Sequence, residues 1–321
     1  MGVNRREFVK VSTLTGVAGA LSTVPAGALS TVPAGALSSA SAVAATRQAA
    51  PPPAAAVFMP LRRNVGIFNQ RGGTIGWLVS PDGLLVVDTQ FADTAPNLLT
   101  GLKERSPRQI DVVINSHHHP DHTGGNGVLR PAAKQIVAHV RSSENQRLQA
   151  ERAKAPTTLP DVTFPETWSV TLGDETVRAK HWGPAHTGGD VAIHFEQANV
   201  VHLGDLLNNR GYPNVDAPPG RRCTAGCRCS RRWRRPIRPM RCTCSGMPKP
   251  ATRSSARAAI STTSATTSAV VETARRARRD GRSRDDLVKI EALPKFEHFG
   301  GTRARLGLAL GIAYDELAAR A

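Results

Sequence analysis

The chain has 321 residues, 40% of them apolar, enough to bury the core of one large domain or two small ones. Its net charge of +17 would suit a nucleic-acid binder, but 12 Lys and Arg and no acid lie between Ala217 and Val271, and without them the rest carries only +5. Basicity is therefore one local anomaly and not a property of the fold, and at 4% the aromatics are too few for a surface that stacks single strands.

Residues 1–45 read as an export signal. Arg5 and Arg6 precede Phe8 and Lys10, an uncharged stretch runs from Val11 to Ala45, and small residues suit cleavage after Ala44. The arrangement resembles a twin-arginine signal, which carries folded proteins, often with a metal in place. It implies the twin-arginine export machinery as a partner and a periplasmic or secreted location. Pro25, Pro33 and the many small residues argue against a membrane-spanning helix. The octapeptide LSTVPAGA occurs in tandem at 21–28 and 29–36, a duplication that lengthens the signal, since two short copies bury nothing. Residues 46–60, TRQAAPPPAAAVFMP, read as a Pro/Ala linker.

The folded domain is expected over residues 61–321. NVGIFNQ and GGTIGWLVS are apolar runs separated by turn residues, PDG at 81–83 is a turn, and LLVVDT is a buried strand. Residues 92–105 carry helical spacing, IDVVINS at 110–116 is another buried strand, KQIVAHV at 134–140 a third, and RSSENQRLQAERAK a helix. Strands resume at WSVTL, TVRAKHW, VAIHF and NVVHLGD. Strand-rich halves with interspersed helices predict an α+β sandwich of two sheets flanked by helices.

The chemistry sits at strand ends. SHHHPDHTGGN follows IDVVIN. His117 and His119 are two apart, so in an extended backbone both rings project to one side, while His118 points the other way. Asp121 and His122 follow at the bend. Imidazoles and carboxylates are the usual ligands of zinc, and so many of them at the end of one buried strand point to metal. GPAHTGGDVAIHF places His186 in a Gly-rich turn, and NVVHLGDLL places Asp205 after a strand. His139, His181, His194 and His202 lie within strand patterns and read as structural, and His298 has no ligand pattern around it.

From about Asn64 to Asp205 the chain resembles the metallo-β-lactamase superfamily, through HHHPDH, GPAHTGGD and GD in that order. The resemblance implies an αββα sandwich with a two-metal site. His117, His119 and His186 would hold one ion, Asp121 and His122 the second, and Asp205 would bridge them. Zinc leads as the metal, with iron and manganese as alternatives. Such a pair lowers the pKa of a shared water toward 7. The resulting hydroxide would attack a carbonyl, and Asp121, as catalytic residue, would orient it. An ester, thioester, lactone or amide of small size is the expected substrate. Asp205 favours hydroxyacylglutathione hydrolase-like and lactonase-like members over β-lactamases. NNRGYPNVDAPPG, which follows, resembles exported hydrolases of the superfamily.

Residues 217–269 break the pattern. Positions 221–246 hold nine Arg and all five Cys of the chain. Their C-x3-C-x-C and C-x-C spacing lacks the paired C-x2-C of a zinc module, and their odd number leaves one thiol outside any disulfide. Residues 251–269 are nearly devoid of large apolar side chains and are expected to cover no sheet. The family requires a Gly-His after the bridging Asp, yet no His occurs between His202 and His298. Acid-free, Arg-, Cys-, Ser- and Thr-rich text is what a GC-rich gene yields out of frame. In the displaced register, permitted codons for Cys244 to Met247 read Phe-Gly-His. Two compensating frameshifts, or two base-calling errors, are the expected origin of the segment, with a genuine basic insertion as the alternative, and sense is expected to return near Ala269. As it stands, the chain is expected to complete the first metal site and to lack one ligand at the second, with a disrupted second half and weak or absent activity. A basic nucleic-acid-binding protein is the remaining alternative.

Overall fold

The computed structural model describes residues 55–207, 211–216, 241–243 and 253–319. One sheet has seven strands in sequential order. Strands β1 (Val57–Arg62), β2 (Val65–Asn69), β3 (Ile75–Val79) and β4 (Leu84–Val87) pair antiparallel. Strands β5 (Val112–Asn115), β6 (Ile136–His139) and β7 (Val162–Phe164) then add in parallel. Parallel neighbours need crossover connections. Helix α1 (Ala95–Arg105) provides the first, the short helices α2 (Pro120–Thr123) and α3 (Asn126–Leu129) the second, and α4 (Val140–Ala153) the third.

The other sheet has the order β12-β11-β10-β9-β8. Strands β8 (Thr167–Leu172), β9 (Glu175–His181), β10 (Val191–Phe195) and β11 (Val200–His202) pair antiparallel, and β12 (Arg241–Thr243) adds parallel to β11. Helices α5 (Arg253–Arg279), α6 (Arg284–Leu287) and α7 (Arg303–Ala318) follow, with α5 against both β12 and α7.

Alternation along each strand builds the layers. Leu85 and Val87 face the other sheet, where they join Ile114, Val137, Val177, Ile193 and Phe195 in the inter-sheet core. Leu84 and Val86 face outward and pack with Val113, Leu98 and Leu102. A strand buried on both faces must be apolar at every position, which is why LLVV and VVI show no alternation of polarity. Each such side chain contributes about 1.5–3 kcal/mol of burial. Helix α1 has a proline in its first turn, where the missing N–H costs nothing, and Lys103 and Arg105 in its last, favourable to the helix dipole.

The α+β sandwich is as expected, with three differences. Strand β1 starts at Val57, inside the expected linker at 46–60, because Phe58 has a site to fill: its ring lies 4.8 Å from that of Phe68 and under the Arg105 guanidinium. Strand β7 is too short to show a periodicity of its own. Residues 253–269 belong to α5, where Thr266 and Thr267 are already buried, so the expectation of a non-covering segment over 251–269 is corrected in part. Ala and Arg are good helix formers, and Val270, Ala274 and Ala277 anchor the helix in a cluster with Leu306 and Leu310 of α7. The doubtful stretches 217–240 and 244–252 lie outside the described residues, as do the expected signal and most of the expected linker.

Candidate metal centre

Strand β5 sends Ile114 into the inter-sheet core and ends at Asn115, whose side chain bonds Asn126 on the opposite face. His119 caps α2 in an extended conformation, and Pro120 opens the helix, which places Asp121 and His122 in its single turn. Gly-rich turns carry the other two groups. His186 precedes β10, and Asp205 follows β11 just after Gly204, whose φ of +48° sets it against Ser116.

The three histidines of the expected first site converge. His119 Nδ1 lies 3.2 Å from His117 Nε2 and 3.0 Å from His186 Nε2. Their outer nitrogens fix the tautomers. His186 Nδ1 donates to the Asn214 carbonyl at 2.8 Å, so its Nε2 is a lone pair. His119 Nε2 donates to the Asp216 carboxylate at 3.0 and 3.1 Å, so its Nδ1 is a lone pair. The Ser116 hydroxyl donates to Asp88 at 2.6 Å and accepts from His117 Nδ1 at 3.1 Å, so that Nε2 is a lone pair too. Three lone pairs aimed at one another at this spacing repel unless a cation lies between them, so these residues fit a metal.

The second group is built around His122, which is fully buried. Its Nδ1 is 2.7 Å from Asp88 Oδ2, and its Nε2 is 3.1 Å from Asp205 Oδ1 and 3.6 Å from Asp121 Oδ2. Although Asp205 is near, His122 Nε2 makes no hydrogen bond of proper geometry, as suits a ligand atom. Asp205 Oδ2 also lies 3.6 Å from His186 Nε2, so its carboxylate stands between the two groups. Compact triads of donors form from His117, His119 and His186 and from His117, His122 and Asp205. Asp121 sits at the margin, a quarter exposed.

Charge is finely balanced here. Burial, then the neighbouring His122, push His117 well below the usual histidine range. Burial opposes charge on His122 as well, but Asp88 and then Asp205 outweigh it and hold His122 well above that range. Burial alone would raise Asp205; His122, His186 and His117 reverse this and hold its carboxyl well below the carboxylate range.

All six expected site residues come together here; His118, expected to point the other way, instead has its Nε2 3.8 Å from Asp216 Oδ2 and forms a third group of donors with His119 and Asp216. Three of the four histidines read as structural, His139, His181 and His202, have structural partners. His139 caps α4 and stacks on His181 at 4.0 Å, and His202 donates to the Thr74 carbonyl. Sequence reasoning missed Asp88, Ser116, Asp216 and the carbonyl of Asn214, all partners of the ligands' outer nitrogens. It also missed Gly72 and Gly73. Their bare backbone passes Asp121 and His122, and a Cβ on Gly73 would lie 2.6 Å from the His122 ring. Only the positive φ of Asp88, +68°, marks that carboxylate out locally.

A two-sheet sandwich carrying histidines and aspartates at its strand ends defines a class of metal-site proteins. The family model of the metallo-β-lactamase superfamily matches residues 69–243, and the chain belongs to that family. Among curated relatives, the chain is 27% identical over 132 residues to the 2,4-dinitroanisole O-demethylase subunit alpha of a Nocardioides species, across 39% of this chain and 38% of that protein. It is 30% identical over 122 residues to a hydroxyacylglutathione hydrolase of a Synechococcus species, across 38% of this chain and 43% of the relative. The chain thus spans less than half the length of either. Among solved structures, a metallo-β-lactamase from Pontibacter korlensis aligns with a TM-score of 0.55 at 18% identity, over 67% of this chain and 99% of that one. The sec-alkylsulfatase Pisa1 from a Pseudomonas species aligns with a TM-score of 0.63 at 16% identity, over 81% of this chain and 50% of that one.

Proposed function

We propose that the protein is an exported hydrolase that uses two divalent ions, zinc foremost, to cleave an ester, thioester, lactone or amide. The convergence of three imidazole lone pairs carries this reading. His117, His119 and His186 would hold one ion, His122 and Asp121 the other, and Asp205 would lie between them. The ions would supply a polarised water and a Lewis acid for the carbonyl. Asp88, through Ser116 and directly, keeps His117 and His122 presenting the correct nitrogen. Asp121, a quarter exposed at the margin, would orient the attacking water. Relatives named hydroxyacylglutathione hydrolase support a thioester ahead of a β-lactam. The test is hydrolysis of a panel of thioesters and lactones, with and without chelator, and by His119→Ala. The chain as it stands, one ligand short at the second site, should show weak turnover at most, and chelation and the substitution should each abolish it; turnover that survives both refutes the reading.

Export by the twin-arginine route and a small-molecule substrate belong to the same proposal, with no nucleic-acid partner. Salt-sensitive nucleic-acid binding that survives chelation would count against it. The frameshift reading of 217–269 also stands as a proposal. It is supported by the acid-free, Arg- and Cys-rich composition of the segment and by the lack of any histidine between His202 and His298. A DNA read across codons 210–275 decides it: an indel at each edge restores the ligand, and an unbroken frame removes the idea.

A further inference from the structure

The stretch Gly211–Asp216, GYPNVD, reaches both the first triad and the C-terminal helices. At one end it grips the ligands. The carboxylate of Asp216 accepts from His119 Nε2 at 3.0 and 3.1 Å. Its backbone N–H donates to the His186 carbonyl at 3.0 Å, and the Asn214 carbonyl accepts from His186 Nδ1 at 2.8 Å. At the other end it is anchored. Tyr212 is fully buried, donates its hydroxyl to the Phe296 carbonyl at 3.0 Å and accepts from the Leu293 N–H at 3.0 Å. Its ring meets that of Phe299 edge to face, and Val215 joins the same cluster as α5 and α7.

We propose that Gly211–Asp216 is a positioning strap for the first metal triad, in which Asp216 is the positioning residue that turns His119 Nδ1 toward the ion. This rests on the metal-dependent reading above. The need for it follows from the triad itself. His117 and His186 present Nε2, whereas His119 presents Nδ1, the nitrogen nearer the backbone. A neutral imidazole presents whichever nitrogen lacks the proton, so His119 works only while its proton is held on Nε2. Asp216 holds it there, and its charge strengthens the opposite nitrogen as a donor. The Asn214 carbonyl does the same for His186 in mirror sense. Because Tyr212 fastens the strap to residues 293–299, the C-terminal helical cluster becomes part of what keeps the triad in shape.

The test measures the zinc dissociation constant of the full chain by competition with a chromogenic chelator, the visible spectrum of the cobalt-loaded protein, and the melting temperature of the metal-free protein. Asp216→Ala should weaken the tightest zinc site by about 10–100-fold and alter the cobalt spectrum, with little change in metal-free melting. Asp216→Asn, nearly isosteric and still able to accept through one oxygen, should fold if the alanine variant does not, and should lose less affinity than alanine. Tyr212→Phe, which frees the anchor, should shift affinity in the same direction. Wild-type zinc affinity and an unaltered cobalt spectrum in both Asp216 variants would overturn the strap while leaving the hydrolase reading intact. A wild-type chain that takes up no metal would overturn both.

Discussion

Asp88→Asn is the most informative single substitution outside the ligands themselves. Asp88 is fully buried; its Oδ1 accepts from the Ser116 N–H and its Oδ2 from the Ser116 hydroxyl, both at 2.6 Å, while Oδ2 also meets His122 Nδ1 at 2.7 Å. An asparagine has one acceptor where the carboxylate has two. If its NH2 faces the Ser116 N–H, two donors collide. If it faces His122, the imidazole must move its proton to Nε2, the atom that should bind metal. The Ser116 hydroxyl also loses its fixed direction, and with it the hold on His117 Nδ1. Both ligand groups are therefore weakened by one atom change. The backbone is a fair control, because asparagine tolerates the positive φ that Asp88 adopts. Loss of such a partner costs about 10–100-fold in metal affinity, or roughly 1.4–2.7 kcal/mol. Loss of a buried, charge-assisted hydrogen bond adds about 1.5–3 kcal/mol to the stability deficit. Equilibrium dialysis against buffered zinc gives the first quantity and denaturant unfolding of the metal-free protein the second. Wild-type zinc affinity in a folded Asp88→Asn protein would refute the tautomer argument.

Two further perturbations probe neighbouring features. Gly73→Ala places a methyl 2.6 Å from the His122 ring, which must move, so bound zinc per chain should fall while the far-ultraviolet dichroism stays unchanged; undiminished zinc would mean that the hairpin yields instead. His139 is held at a pKa of about 4, first by burial and then by the neighbouring His181, and its Nδ1 accepts the Arg141 N–H that starts α4. Because the folded value is depressed below the usual 6.5, the neutral ring contributes its full stability above about pH 6.5 and loses it as pH falls toward 4, on the order of 2–3 kcal/mol. The untitratable cap in His139→Asn should flatten the pH dependence of unfolding over that window, and an unchanged slope would show that another group carries it.

Much of the molecule was legible in the order of its residues. The apolar runs LLVV and VVI announced strands buried on both faces, because such strands have no solvent side to mark with polarity. HHHPDH announced a metal site because no packing requirement explains so many imidazoles beside a carboxylate at one strand end. Residues 57–60 were misread as linker, since their value lies in what Phe58 touches and not in any periodicity. The partners of the ligands were invisible for a related reason. A lone aspartate in VVDT or NVD resembles any loop acid, and its meaning depends on a contact 34 residues away for Asp88 and 97 away for Asp216. The ligand types were thus written locally, one after another along a strand and its turn. Which nitrogen each histidine presents was decided only when the sheets, the hairpin at Gly72–Gly73 and the Gly211–Asp216 strap met in space, because a tautomer is set by the group on the ring's far side.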